Sequence, residues 1–121
     1  MSHTTKTAPT LIGLVVLWAS LMGWSVEAAE APTGQELFVS LRCNMCHSVS
    51  SAEIEAKAKS EKMRAKDLVD LEDDAESLKQ YILREVERDG VQHKAPFKGE
   101  PAELDAIITW LLEQHAADTG E

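Results

Sequence analysis

Two thiols separated by two residues, with an imidazole directly behind them, form the one contiguous stretch whose residue types and spacing suit chemistry: Cys43-Asn44-Met45-Cys46-His47. This C-x-x-C-H spacing is that of c-type haem attachment. Two cysteines three positions apart at the end of a helix can each reach one vinyl group of a porphyrin. The adjacent His47 then carries its imidazole beneath the iron. Other uses of the same residues need partners that the sequence does not supply. A structural zinc site takes four ligands, whereas Cys43, Cys46 and His47 crowd one turn and leave only the distant His93 or His115 to complete it. A thioredoxin-like redox pair belongs beside a βαβ pattern, which is absent. A disulfide closing so short a loop would restrain little of the unfolded chain. The residues therefore predict one covalent haem c on Cys43 and Cys46, with His47 as proximal iron ligand.

A helix must deliver those cysteines, and Thr33-Gly34-Gln35-Glu36 has the capping-box pattern that starts one. Leu37, Phe38 and Leu41 recur on one helical face, ending where Cys43 opens the motif. From Ser51 to Lys66 the chain is rich in Ala, Glu and Lys, and its propensity predicts an exposed helix with Met63 packed inward. The acidic run Asp67 to Glu76 predicts a turn or a short irregular helix with a solvated face. Leu78, Tyr81, Ile82 and Val86 mark another helical stripe, closed after Arg88 by Gly90 as C-terminal cap. A loop spans Val91 to Gly99. Pro101 then suits a first helical position, and Leu104, Ile107, Ile108 and Leu111 mark a final amphipathic helix. His115 falls in its last turn, as a surface histidine facing the helix dipole. With no strand pattern and no repeat, the fold class is all-α.

The chain has 121 residues, with 12 Lys+Arg against 21 Asp+Glu and a formal charge of −9, a balance that argues against binding nucleic acid. Hydrophobic residues make up 44% and aromatics 5%, a thin supply for one small core that an apolar porphyrin would complete. At the N-terminus, His3 and Lys6 precede an apolar run from Leu11 to Met22. It leads to the small residues of Val26-Glu27-Ala28, the layout of a signal peptide. Cleavage after Ala28 divides the chain into a signal segment, 1–28, and a domain, 29–121. An uncleaved membrane anchor would need about 20 apolar residues, more than this run contains. Both readings put the domain outside the cytoplasm, exported to the periplasm, with membrane attachment only if the segment is retained.

From about Thr33 to Gln114 the chain resembles a class I cytochrome c: a helix, the attachment motif near the start of the domain, and an aromatic-containing final helix. The resemblance implies a small cytochrome c fold of three to five helices wrapped around one covalently bound haem. It also implies that the first and last helices cross, with Phe38 and Leu41 meeting Leu104, Ile107, Ile108 and Leu111, and Trp110 in the core. Class I members usually supply a distal Met from a Met-Pro loop. Here the loop reads Gln92-His93-Lys94-Ala95-Pro96-Phe97-Lys98-Gly99, without Met, and is similar to members with His before a Phe-Lys-Gly stretch. His93 is accordingly the expected distal ligand. Lys94 is the alternative, and it would first have to lose a proton against a reference pKa of about 10.4. The function so implied is an electron carrier between redox partner proteins, with no catalytic constellation beyond the haem site. A haem-based gas or ligand sensor, or a small electron-transfer subunit of a larger oxidoreductase, are the competing readings.

Overall fold

The computed structural model describes residues 29–120, so the signal segment and its cleavage site lie outside the described residues. Helix α1 runs Gly34–Ser40 and begins as its residues require. The Thr33 hydroxyl accepts from the Glu36 N–H at 3.2 Å, and the Glu36 carboxylate accepts from the Thr33 N–H at 2.7 Å. These reciprocal bonds satisfy two of the donors left open at a helix start, and they hold the Glu36 carboxyl below its ordinary pKa. Helix α2 spans Ala75–Ile82, capped by Asp74, whose Oδ1 accepts from the Ser77 N–H at 2.9 Å. Helix α3, Pro101–Thr119, has Pro101 in its first turn and Gly120 at φ 74° beyond its end. These are three α-helices with two 3₁₀ turns, and the described residues contain no strand, only isolated bridges at Val49–Ile54 and Arg88–Val91. No helix among the described residues is long and apolar enough to cross a membrane.

Helices α1 and α3 cross at close range because Gly34 has no side chain. A Cβ there would lie 2.4 Å from both the Ala106 carbonyl oxygen and Trp110 Cβ. Beside this crossing Phe38 packs on Trp110, ring centroids 5.4 Å apart and tilted by 53°. Leu37, Phe38, Val49, Val69, Leu71, Leu78, Leu104, Ile107, Ile108, Trp110 and Leu111 form one buried cluster, with Leu41 packed against it. Trp110 is thus a core residue. Helix α2 joins through buried Leu78 and, at the surface, a Lys79–Asp105 ion pair at 2.8 Å that raises the lysine pKa.

Several sequence expectations are corrected. The exposed helix over Ser51–Lys66 does not form: after a 3₁₀ turn at Ser50–Ala52 the chain makes an irregular excursion. Its backbone N–H groups are spent on the cysteine turn: Lys57 to Asn44, Ala58 to Met45 and Ala65 to Cys46, at 2.8–2.9 Å. Good propensity without an apolar stripe gives a helix nothing to bury, and these longer-range bonds win. Met63 is accordingly 53% exposed rather than packed inward. Helix α2 stops at Ile82 instead of running to Gly90; Leu83 and Val86 are exposed, and Gly90 closes a tight Arg88–Val91 turn at φ 73°. His115 is half-buried, not a surface residue, and its Nδ1 bonds the Val69 carbonyl, tying the end of α3 to the segment after the excursion. The acidic run is partly structural as well. Asp67 Oδ1 accepts from Ser50 and Val69 N–H groups, and Asp73 pairs with Arg88.

Candidate functional site

Arg42, at φ 64°, turns the chain sharply out of α1 and into a 3₁₀ turn over Cys43–Met45. Within that turn the Cys43 carbonyl accepts from both Cys46 and His47 N–H groups, at 3.3 and 3.1 Å. The two thiols and the imidazole are therefore presented from a single turn. Both thiols are free and half-buried, and burial pushes the Cys43 thiol pKa up, keeping it protonated. Asn44, the buried polar residue between them, accepts Lys57 N–H at its carbonyl, so the excursion braces the turn from behind.

His47 is largely enclosed. Burial lowers its pKa, the neighbouring His93 lowers it further, and the Lys66 backbone partly opposes both. The ring is consequently neutral near pH 7 and keeps a lone pair, the form in which imidazole binds a metal. Its Nδ1 is buried and faces the Lys66 backbone, close enough to raise the pKa but short of full hydrogen-bonding geometry.

The loop after Gly90 brings His93 opposite His47. Their rings are parallel within 4°, with centroids 6.0 Å apart. That separation is towards the far end of the range for offset-stacked rings, so the direct contact between them is weak. Two metal–nitrogen bonds of about 2.0–2.1 Å and about 1.1 Å from each nitrogen to its ring centre would put the centroids roughly 6.3 Å apart. The observed separation leaves room for one metal ion between the imidazoles. His93 Nδ1 lies 2.7 Å from the Ala95 carbonyl. A carbonyl only accepts, so Nδ1 carries the proton and Nε2 keeps the lone pair, as a backbone partner commonly arranges for a ligating histidine.

The structure brings Cys43, Cys46, His47 and His93 together and leaves the other candidates aside. The Lys94 ammonium donates to the Lys62 carbonyl at 3.0 Å, which commits it to the excursion. Among the described residues no group of three or more His, Cys, Asp or Glu could hold a metal, so a structural zinc cluster is not built here. Two residues escaped the sequence reading of the site. Tyr81 meets His93 edge-on at 5.5 Å, and Arg88 lies over the Tyr81 ring at 4.5 Å. Both read as ordinary members of a helical stripe and its last turn, and the only signal was that Tyr81 is the sole tyrosine. Compared with known proteins, the chain matches no family model, no curated protein and no solved structure.

Proposed function

We propose that this chain is an exported monohaem c-type cytochrome, a variant of the class I type, that carries single electrons between redox partners. Cys43 and Cys46 would hold the haem covalently, with His47 and His93 as its axial ligands. The observation that carries the reading is the pair of parallel imidazoles, one placed by the cysteine turn and the other by a loop far along the chain. The bound group would supply one-electron exchange at iron. The protein's part is to retain it, orient it and set its environment. Two thioether links keep the cofactor in a domain too small to enclose it. The Ala95 carbonyl fixes the tautomer of His93, and burial keeps His47 neutral. A second imidazole in place of a thioether also sets the direction of the potential, since a Met ligand raises it.

The test is made on full-length protein matured in a host with c-type assembly machinery. Haem that resists acid–acetone extraction, with a low-spin visible spectrum that carbon monoxide does not alter, is expected. Haem that extracts freely would overturn covalent attachment. Covalent haem that binds carbon monoxide readily would move the function to a ligand sensor with an open sixth position.

A further inference from the structure

We infer that Tyr81 and Arg88 are positioning residues that hold the His93 ring parallel to His47 and keep it over the metal; this rests on the bis-histidine reading above. The hydrogen bond from His93 Nδ1 to Ala95 pins one edge of the imidazole but leaves the ring free to rock about the N–H···O line. A second restraint comes from Tyr81, which stands against His93 at 82° with ring centroids 5.5 Å apart. Rocking of His93 in that direction would run into the tyrosine.

Tyr81 is itself backed by Arg88. The guanidinium carbon sits 4.5 Å from the Tyr81 ring centre, on a side chain held by Asp73 at 2.7 Å and by the Ser77 carbonyl at 3.3 Å. Asp73 and Ser77 flank the first turn of α2, so the Arg88 side chain is anchored to the helix start. The Arg88 backbone exchanges two hydrogen bonds of 2.9 Å with Val91, two residues before His93. One residue thus fastens the start of the ligand loop to α2 and clamps Tyr81 in between. An ion pair about one-third exposed contributes little to stability by itself. Its placement is accounted for by what it holds.

Both contacts the structure gives Tyr81 here, to His93 and to Arg88, are made by its ring, so the flat ring is the working part. Tyr81→Phe should preserve the arrangement, while Tyr81→Leu, which keeps apolar bulk, should lose it. Parallel imidazole planes give a rhombic low-spin ferric electron paramagnetic resonance signal, and crossed planes give a strongly anisotropic one with a large maximal g value. The experiment records this signal and carbon monoxide binding to the ferrous form, on haem-loaded full-length wild type, Tyr81→Phe, Tyr81→Leu and Arg88→Gln.

Wild type and Tyr81→Phe should be rhombic. Tyr81→Leu and Arg88→Gln should shift towards the anisotropic signal or a mixture and bind carbon monoxide faster, by up to about tenfold for loss of one aromatic restraint. Circular dichroism on the same samples separates ring rotation from unfolding. A Leu variant that does not fold is replaced by Tyr81→Met, with the same expected shift. A wild type that is not low-spin rhombic would overturn the bis-histidine reading itself. A rhombic wild type with unchanged Leu and Gln variants would overturn this inference alone, as would Tyr81→Phe behaving like Tyr81→Leu.

Discussion

Replacing Gly34 with Ala tests whether the crossing of α1 and α3 is as tight as described. The new Cβ would stand 2.4 Å from the Ala106 carbonyl oxygen and from Trp110 Cβ, against 3.4–4 Å for ordinary contact, so about 1 Å of separation must be found. Neither neighbour can swing aside: one is helix backbone and the other is the root of a buried side chain. The helices must part, and overpacking of this kind costs about 1–3 kcal/mol; Gly34 is the first residue of α1, where the interior helix propensity of Ala offsets little of it. Two other glycines provide the scale. At Gly90 nothing lies within 4 Å and only the left-handed φ of 73° is at stake, a cost of about 1 kcal/mol. At Gly99 the neighbours are the ends of Phe97, Glu103 and Leu41 side chains, at 2.6–2.9 Å, which can turn away. Thermal unfolding of the holoprotein should rank Gly34→Ala as the most damaging, lowering Tm by about 4–8 °C for each kcal/mol lost. A Gly34→Ala Tm equal to that of wild type, or above that of Gly90→Ala, would refute the close crossing.

Changing Cys43 or Cys46 to Ser should weaken haem retention, and the double variant should be mostly apoprotein with reduced helicity by circular dichroism; a cooperative, fully helical apo form would show that the core does not depend on the cofactor. His93→Ala should admit carbon monoxide and alter the low-spin spectrum, and an unchanged spectrum would transfer the ligand role to Lys94, freed from Lys62. Asp74 has its pKa lowered by the cap to Ser77, so its contribution is present above the unfolded carboxyl pKa and is lost as pH falls through the folded value. Denaturant titrations between about pH 5 and 2 should therefore lose less stability in Asp74→Asn, which still caps but does not titrate in this way; identical acid limbs would refute the cap. Electron exchange with hexacyanoferrate should slow as salt rises, because the excursion bonded to the cysteine turn carries Lys57, Lys59, Lys62, Arg64 and Lys66 against Glu53, Glu55 and Glu61, a local excess of positive charge. A rate that rises with salt would instead give the acidic run around Asp70 and Glu72 control of the encounter.

Features encoded by near neighbours were legible in the amino-acid sequence. Thr33 and Glu36 are three residues apart and satisfy each other, and Pro101 needs only its own ring geometry to open α3. The presentation of Cys43, Cys46 and His47 from one turn belongs to the same class, since the residues are contiguous. The excursion over 51–66 was misread because its conformation is decided by carbonyls of Asn44, Met45 and Cys46, which no local window weighs against helix propensity. The end of α2 was misplaced for a related reason: Gly90 does adopt positive φ, but together with Asp89, as the Asp-Gly pair of a tight turn that was read instead as a helix cap; Arg84, also at positive φ, is the position where the residue type gives no warning.

That misplaced helix end accounts for what was missed at the site. Had α2 continued to Gly90, Tyr81 and Arg88 would lie seven residues apart on one helix, about 10 Å along its axis, too far for a guanidinium to cover the ring. Because the chain breaks after Ile82 and doubles back, Arg88 returns over Tyr81 and its backbone meets Val91, which sets where the loop to His93 departs. The distance between the two imidazoles therefore depends on where α2 stops. Leu83 and Val86, exposed at 40% and 38%, show why it stops there: past Ile82 the stripe no longer has a protein face to cover. On the bis-histidine reading, extending α2 would remove the second ligand from its place.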